Sequence, residues 1–317
     1  MTFVIDSAYA GKTVLSFVKS ALRISTSALA GLKRDERGIM VNGKHVTVRY
    51  VLQLNDVLFI NEQDSFDDTN SAIPPMDIPI HIIFENDDVL LLDKPANMPT
   101  HPSHGHTDDT LANAVAHLYQ SRNLPFVFRP IGRLDRNTSG ISLIAKHSIS
   151  ASYLFFARQK NLIHKKYCAI LCGKIESDGK YHTIDTFMKR QEDSIIVRCV
   201  GSQEDESAVR AITHWRLLFT SEKVSVVEAI PETGRTHQLR VHFAHIGHPI
   251  LGDDVYGTPS EAIDRHALHA AYLQIPMPYS GEVTEFTSNP PQDMVSALKD
   301  ICGASLDDIY KTRFNKP

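Results

Sequence analysis

Between residues 80 and 317 strand-like and helical segments follow one another without the regular strand–helix–strand alternation that builds a doubly wound sheet. Apolar runs of strand length occupy residues 81–84, 89–92, 141–145, 167–172, 195–199 and 224–230. Helical spacing occupies residues 110–119, where Leu111, Val115 and Leu118 share a face behind Asp108 and Asp109. It recurs at 148–160, with Leu154 and Phe155 facing inward, and at 235–246, which Gly247 and Pro249 stop. This pattern predicts an α+β fold.

The first sixty residues read as a separate small unit. Val14, Phe17, Val18, Ala21 and Leu22 repeat at helical spacing. The Ser25-Thr26-Ser27 cluster suits the start of a second helix, which turns Leu29 and Leu32 inward and leaves Lys33, Arg34 and Arg37 outside. Asn42-Gly43 between β-prone flanks predicts a hairpin, and residues 54–60 a final strand. Residues 61–79 are acidic, polar and carry Pro74, Pro75 and Pro79, the composition of a mobile linker. The expected organisation is therefore 1–60, 61–79 and 80–317. A chain of 317 residues is long enough for one large domain and a small one.

The net charge of −4 conceals a strong asymmetry. Residues 1–60 hold eight Lys or Arg against four Asp or Glu, while residues 61–88 hold eight acidic residues and no basic one. Such a basic unit suits a nucleic-acid partner. No apolar run approaches the length of a membrane span, and the N-terminus lacks the pattern of a secretory signal. The four cysteines, Cys168, Cys172, Cys199 and Cys302, form no Cys-x-x-Cys pair and read as thiols of a reducing cytoplasm. His237, His242, His245, His248, His266 and His269 crowd the C-terminal third, but no Cys or carboxylate set completes a ligand pattern, so no metal is expected.

Residues 132–140 read GRLDRNTSG and carry the chemistry. Asp135 lies between Arg133 and Arg136, and adjacent guanidinium charge favours an ionised carboxylate. An ionised, positioned carboxylate can act as a nucleophile or as an electrostatic stabiliser. The arginines could equally hold phosphates.

Residues 130–146, PIGRLDRNTSGISLIAK, closely resemble the catalytic motif of RluA-type pseudouridine synthases, usually written HRLD-x-x-T-S-G followed by an apolar strand and Ala-Lys. Four further segments resemble that family in order. They are ENDDVLLLDKPANMPTHPS (85–103), KKYCAILCGKI (165–175), PETGRTHQLRVHFAHIGHPILGDDVYG (231–257) and RHALHAAYLQIPMP (265–278). One departure is Gly132, where the family usually has His. Residues 1–60 resemble the small RNA-binding domain named after a small-subunit ribosomal protein.

The resemblance implies a mixed, largely antiparallel sheet with a central cleft and no cofactor. It makes Asp135 the catalytic carboxylate, either bonding to sugar or base or acting as a base at the sugar. Tyr167 would stack on the uracil and assist removal of the carbon-5 proton, and Arg235 would pair with Asp135. Arg133 would occupy the space of the extruded base, and Leu268 would line the uracil pocket. Lys33, Arg34 and Arg37 would hold RNA phosphates. The expected substrate is large-subunit ribosomal RNA, with transfer RNA or a non-catalytic assembly role as alternatives, and the expected state a cytoplasmic monomer. A glycosidase is disfavoured because no second carboxylate accompanies Asp135 in the sequence.

Overall fold

The computed structural model describes residues 1–64, 70–176, 179–194 and 196–314. Helix α1 (Val14–Ser20) starts at Thr13, whose hydroxyl accepts from Ser16 N at 3.2 Å. Helix α2 (Thr26–Arg34) starts at Ser25, whose hydroxyl accepts from Ala28 N at 3.1 Å. Strands β1 (Thr2–Val4), β2 (Ile39–Val41), β3 (Lys44–His45) and β4 (Val57–Ile60) form an antiparallel sheet in the order β1-β4-β2-β3. Asn42 and Gly43, at φ of +50° and +77°, make the two-residue turn between β2 and β3. Leu29 and Leu32 are buried, and Lys33, Arg34 and Arg37 are exposed.

This N-terminal unit is docked rather than tethered. Its core includes Ile149 from α4 (Ser148–Gln159) and borders Tyr279. The Arg23 guanidinium lies 4.7 Å above the Phe156 ring centroid. The described part of the segment expected as a mobile linker is also anchored. Arg129 donates to both Asp64 oxygens at 2.6 and 2.8 Å, and the Asn70 side chain accepts from Phe128 N at 2.8 Å. Ile73 and Ile78 pack on the apolar cluster around α3 (Leu111–Ser121). Composition alone reads such residues as loose; their partners, Arg129 and Phe128, lie far along the chain.

The large sheet has ten strands: β5 (His81–Glu85), β6 (Val89–Lys94), β7 (Ser139–Ala145), β8 (His164–Cys172), β9 (His182–Arg190), β10 (Arg198–Gly201), β11 (Val209–Thr220), β12 (Val224–Pro231), β13 (Leu268–Pro276) and β14 (Val283–Thr287). Their order is β10-β9-β11-β12-β8-β13-β7-β6-β5, with β14 also pairing with β13. Among the described residues, every pairing in it is antiparallel except the short parallel seam between β7 and β13. The strand expected at 195–199 begins only at Arg198, as β10, and Ile195 lies outside the described residues.

The seam places the site. Ala270 on β13 is in register with Gly140 of β7 on one side and with Tyr167 of β8 on the other. The loop leading into β7 is thereby set beside the middle of β8. All seven β7 residues are buried, the small polar Ser139 and Ser142 among them, so the strand does not alternate between apolar and exposed polar positions. Helices α6 (Gln292–Cys302) and α7 (Leu306–Arg313) add Met294, Leu298, Leu306 and Ile309 to the main core.

Candidate active site

The loop before β7 is held at almost every residue. The Leu134 carbonyl accepts from Thr100 Oγ1 at 3.0 Å. The Arg136 carbonyl accepts from Met98 N at 3.1 Å and from Lys94 Nζ at 3.1 Å. The Asn137 carbonyl accepts from Arg265 Nη1 at 2.9 Å. Thr138 Oγ1 meets His266 Nε2 at 2.9 Å, and Ser139 Oγ meets His269 Nδ1 at 3.0 Å. Amid this clamp the half-buried Asp135 carboxylate has no hydrogen-bond or ion-pair partner among the described residues. A fixed backbone presenting an uncommitted carboxylate is what a reacting group requires.

Lys94 is the central fastener. It is wholly buried and also donates to the carbonyls of Pro95 and Met98 at 2.9 and 2.8 Å. Burial pushes its pKa down to about 7, with the Arg265 charge adding to the effect and Asp135 opposing it. Three carbonyl acceptors match the three N–H bonds that only the ammonium form possesses. Arg265 is bound in turn to Asp293 at the start of α6, at 2.6 and 2.9 Å.

Asp135 opens into a cleft of about 1190 Å³ whose lining includes Arg133, Tyr167, Leu268, Arg235 and Arg240. Tyr167 and Leu268 are buried core residues with one face on the cleft. Burial, with the nearby Asp135 charge, drives the Tyr167 phenol well above its usual range, so it is neutral at neutral pH. Arg133 is exposed at the cleft, and its charge adds to burial in depressing the pKa of His101. Four sequence-expected residues, Asp135, Tyr167, Arg133 and Leu268, therefore meet in one place.

Arg235 does not take the expected position against Asp135. Its side chain is exposed and Nε donates to the Arg210 carbonyl at 3.1 Å. The cause lies in where the helix begins. Helix α5 spans Gln238–His245, three residues later than expected. Gln238 is buried and saturates its amide: Oε1 accepts from Thr233 Oγ1 at 2.8 Å and Arg235 N at 3.0 Å, while Nε2 donates to the Ile212 carbonyl at 2.9 Å and Thr213 Oγ1 at 3.0 Å. This keeps residues 233–237 as a loop, with His237 in the left-handed region at φ +58°.

A second arginine of the motif, Arg240 on the first turn of α5, lines the same cleft as Asp135. Arg240 is buried and donates through Nε and Nη2 to the two oxygens of buried Asp253, both at 2.7 Å. Against the lowering effect of burial, its pKa is raised by the Asp253 hydrogen bond and charge and also by Asp135. Sequence reasoning missed Arg240. The signal available was an Arg five residues beyond Arg235 and thirteen before an Asp, which only the fold distinguishes from other pairs.

Five of the six histidines hydrogen-bond within the protein, and His245 is exposed. His242 Nε2 meets Thr186 Oγ1 at 3.0 Å, His248 Nδ1 bonds the Cys172 carbonyl at 3.0 Å, and His237 Nδ1 meets the Tyr256 hydroxyl at 2.8 Å. Burial lowers the pKa of His266 to about 3 and those of His242 and His269 to about 4. No cluster of three or more His, Cys, Asp or Glu able to hold a metal is present among the described residues.

A carboxylate held out of a clamped loop beside a neutral tyrosine is set for chemistry on one bound base, and comparison with known proteins agrees. The profile of the family described as RNA pseudouridylate synthase matches residues 88–245. An uncharacterized RNA pseudouridine synthase of Bacillus subtilis is 34% identical over 280 residues, covering 88% of this chain and 95% of that protein. The chain belongs to the RluA-type RNA pseudouridine synthases. The ribosomal large subunit pseudouridine synthase D of Escherichia coli K12 is 33% identical over 246 residues, 71% of either chain. The human RNA pseudouridylate synthase domain containing 1 superposes with a TM-score of 0.55 at 28% identity, covering 68% of this chain and 85% of that one. As in its family, the enzyme is an isomerase of RNA uridine. Gly132, where the family usually has His, sits at φ +119°, a conformation open to glycine.

Proposed function

We propose that the enzyme isomerises uridines of large-subunit ribosomal RNA in the cytoplasm, acting as a monomer. The relatives named as ribosomal large subunit pseudouridine synthases in Escherichia coli, Zymomonas mobilis and Haemophilus ducreyi support the substrate class. The observation that carries the chemical reading is the unpartnered Asp135 carboxylate on its clamped loop. The reaction detaches uracil at nitrogen 1, turns it and rejoins it at carbon 5, so the base must stay enclosed while a carboxylate handles the sugar.

In this reading Asp135 engages the target nucleotide, and Arg240, fixed by its two hydrogen bonds to Asp253, places a guanidinium in the same cleft. Tyr167 stacks on the uracil. Being neutral, its hydroxyl serves as a hydrogen-bond partner at the ring unless a proton is first removed from it. Leu268 closes the apolar side of the base pocket. Arg133, exposed at the cleft mouth, fills the stack vacated by the extruded base; extrusion costs a few kcal/mol. Arg235, on the loop facing the cleft, binds RNA rather than Asp135. Lys33, Arg34 and Arg37 on and just after α2 bind phosphates and carry no sequence information.

The test is pseudouridine mapping of total RNA in cells with and without the gene, with rescue by wild type and by Asp135→Asn. A ribosomal uridine that loses its modification and regains it only with wild type supports the reading. Loss confined to transfer RNA replaces the substrate, and no loss anywhere sinks it.

A further inference from the structure

Two glycines in the cleft wall lie beside two cations. A Cβ on Gly132, in the Asp135 loop, would lie 3.3 Å from Lys165 Nζ. A Cβ on Gly234, in the loop before α5, would lie 3.5 Å from Arg158 Nη2. Lys165 is on β8 two residues before Tyr167, so both side chains leave the same face of the strand. Arg158 is in the last turn of α4. Both side chains line the cleft that holds Asp135.

Neither cation is used by the protein. Among the described residues Lys165 Nζ and the Arg158 guanidinium have no hydrogen bond and no ion pair. Of the two carboxylates lining the cleft, Glu232 bonds to His214 Nε2 at 3.0 Å, and Asp135 is committed to the reacting nucleotide in the function proposed above. A half-buried ammonium beside a second positive charge, with no anion, is an unfavourable arrangement for the empty protein.

We infer that Lys165 and Arg158, both lining the cleft, form a seat for a backbone phosphate of the RNA strand carrying the target uridine. A phosphodiester oxygen between them would satisfy both charges and fix the strand relative to Tyr167. A Cβ at position 132 would press on this ammonium, which would have to give by a few tenths of an ångström. Burial, and secondarily the Arg158 charge, lower the Lys165 pKa to about 8, and an arriving phosphate relieves the second of these effects. The seat positions RNA and takes no part in bond making.

The inference rests on the RNA-modifying reading of the site, and its test is separate from that reading. The full-length enzyme is titrated with the trinucleotide UpUpU and with the same trinucleotide carrying neutral methylphosphonates in place of both phosphates. Wild type binds the charged form more tightly. Lys165→Met and Arg158→Gln each reduce that preference about tenfold, the worth of one charge-assisted hydrogen bond, and change binding of the neutral form little. A role confined to folding would lower both affinities together. Arg158 is exposed, so its variant decides the matter if Lys165→Met does not fold. Equal binding of the two forms by wild type, binding of neither, or an unchanged preference in the variants overturns the seat. Conversion of uridine in ribosomal RNA is scored independently: an enzyme that keeps the charge preference but makes no pseudouridine there refutes the substrate and spares the seat.

Discussion

The carbonyl oxygen of Ala270 lies 2.3 Å from the point where a Cβ on Gly140 would begin. Gly140 also sits at φ +107°, so neither space nor backbone conformation admits a side chain. This close approach is the parallel seam of the sheet, and it sets the Asp135 loop one strand away from the Tyr167 register.

Gly140→Ala is therefore expected to reduce stability by at least about 2 kcal/mol and to lower activity in the molecules that remain folded. Urea unfolding with a turnover assay on the folded fraction checks both. Gly281, at a positive φ with open space around it, is the control for conformational strain alone.

Asp135→Asn keeps the loop, because its clamps act on neighbouring carbonyls and hydroxyls rather than on the carboxylate. Single-turnover conversion should fall by more than about 10³-fold, with RNA affinity within a few-fold of wild type. Loss of binding in parallel with turnover would give Asp135 a structural role instead.

Arg240 and Arg235 separate two readings of one motif. Arg240→Met strands buried Asp253 without its partner, so it should cost about 3–5 kcal/mol of stability and most of the activity. Arg235→Gln should leave stability within about 0.5 kcal/mol and weaken RNA binding more than the chemical step. Comparable losses of turnover at saturating RNA in the two variants would return Arg235 to the reacting centre.

The buried histidines make the fold acid-sensitive. His266, His269 and His242 titrate near 3 to 4 in the folded protein against an ordinary value of 6.5. The unfolded chain thus binds more protons between pH 6.5 and about 4, and stability falls as pH falls through that window. Each fully titrating histidine contributes a slope of up to about 1.4 kcal/mol per pH unit. Denaturant unfolding measured from pH 7 to 4 should show this decline, and His242→Gln should flatten it.

Lys33, Arg34 and Arg37 should be tested by charge removal and not by truncation, since deleting residues 1–60 would expose Ile149 and Tyr279. Replacing all three with Gln should weaken RNA binding and reduce the steepness of its salt dependence, by about 0.9 for each phosphate that is no longer neutralised. An unchanged salt slope would mean that this face does not touch RNA.

The sequence by itself determined the local elements and singled out four residues that the fold brings to one cleft. Apolar periodicity, Ser25 and the Asn42-Gly43 turn set structure through neighbours a few residues away, so their outcome is written locally. The ordered motifs brought Asp135, Tyr167, Arg133 and Leu268 together because each is embedded in a distinctive segment. Long β11 went unseen: its polar face interrupts the apolar run, and its burial comes from β9 and β12. Only the tertiary structure decided which of two arginines five residues apart is buried and paired, Arg240, and which is exposed, Arg235. That choice depends on four hydrogen bonds of Gln238, which set where α5 starts, and three of those bonds reach residues 212, 213 and 233. It likewise decided that the polar segment after residue 60 is anchored, since the charge on Asp64 acquires meaning only when the fold brings Arg129 to it.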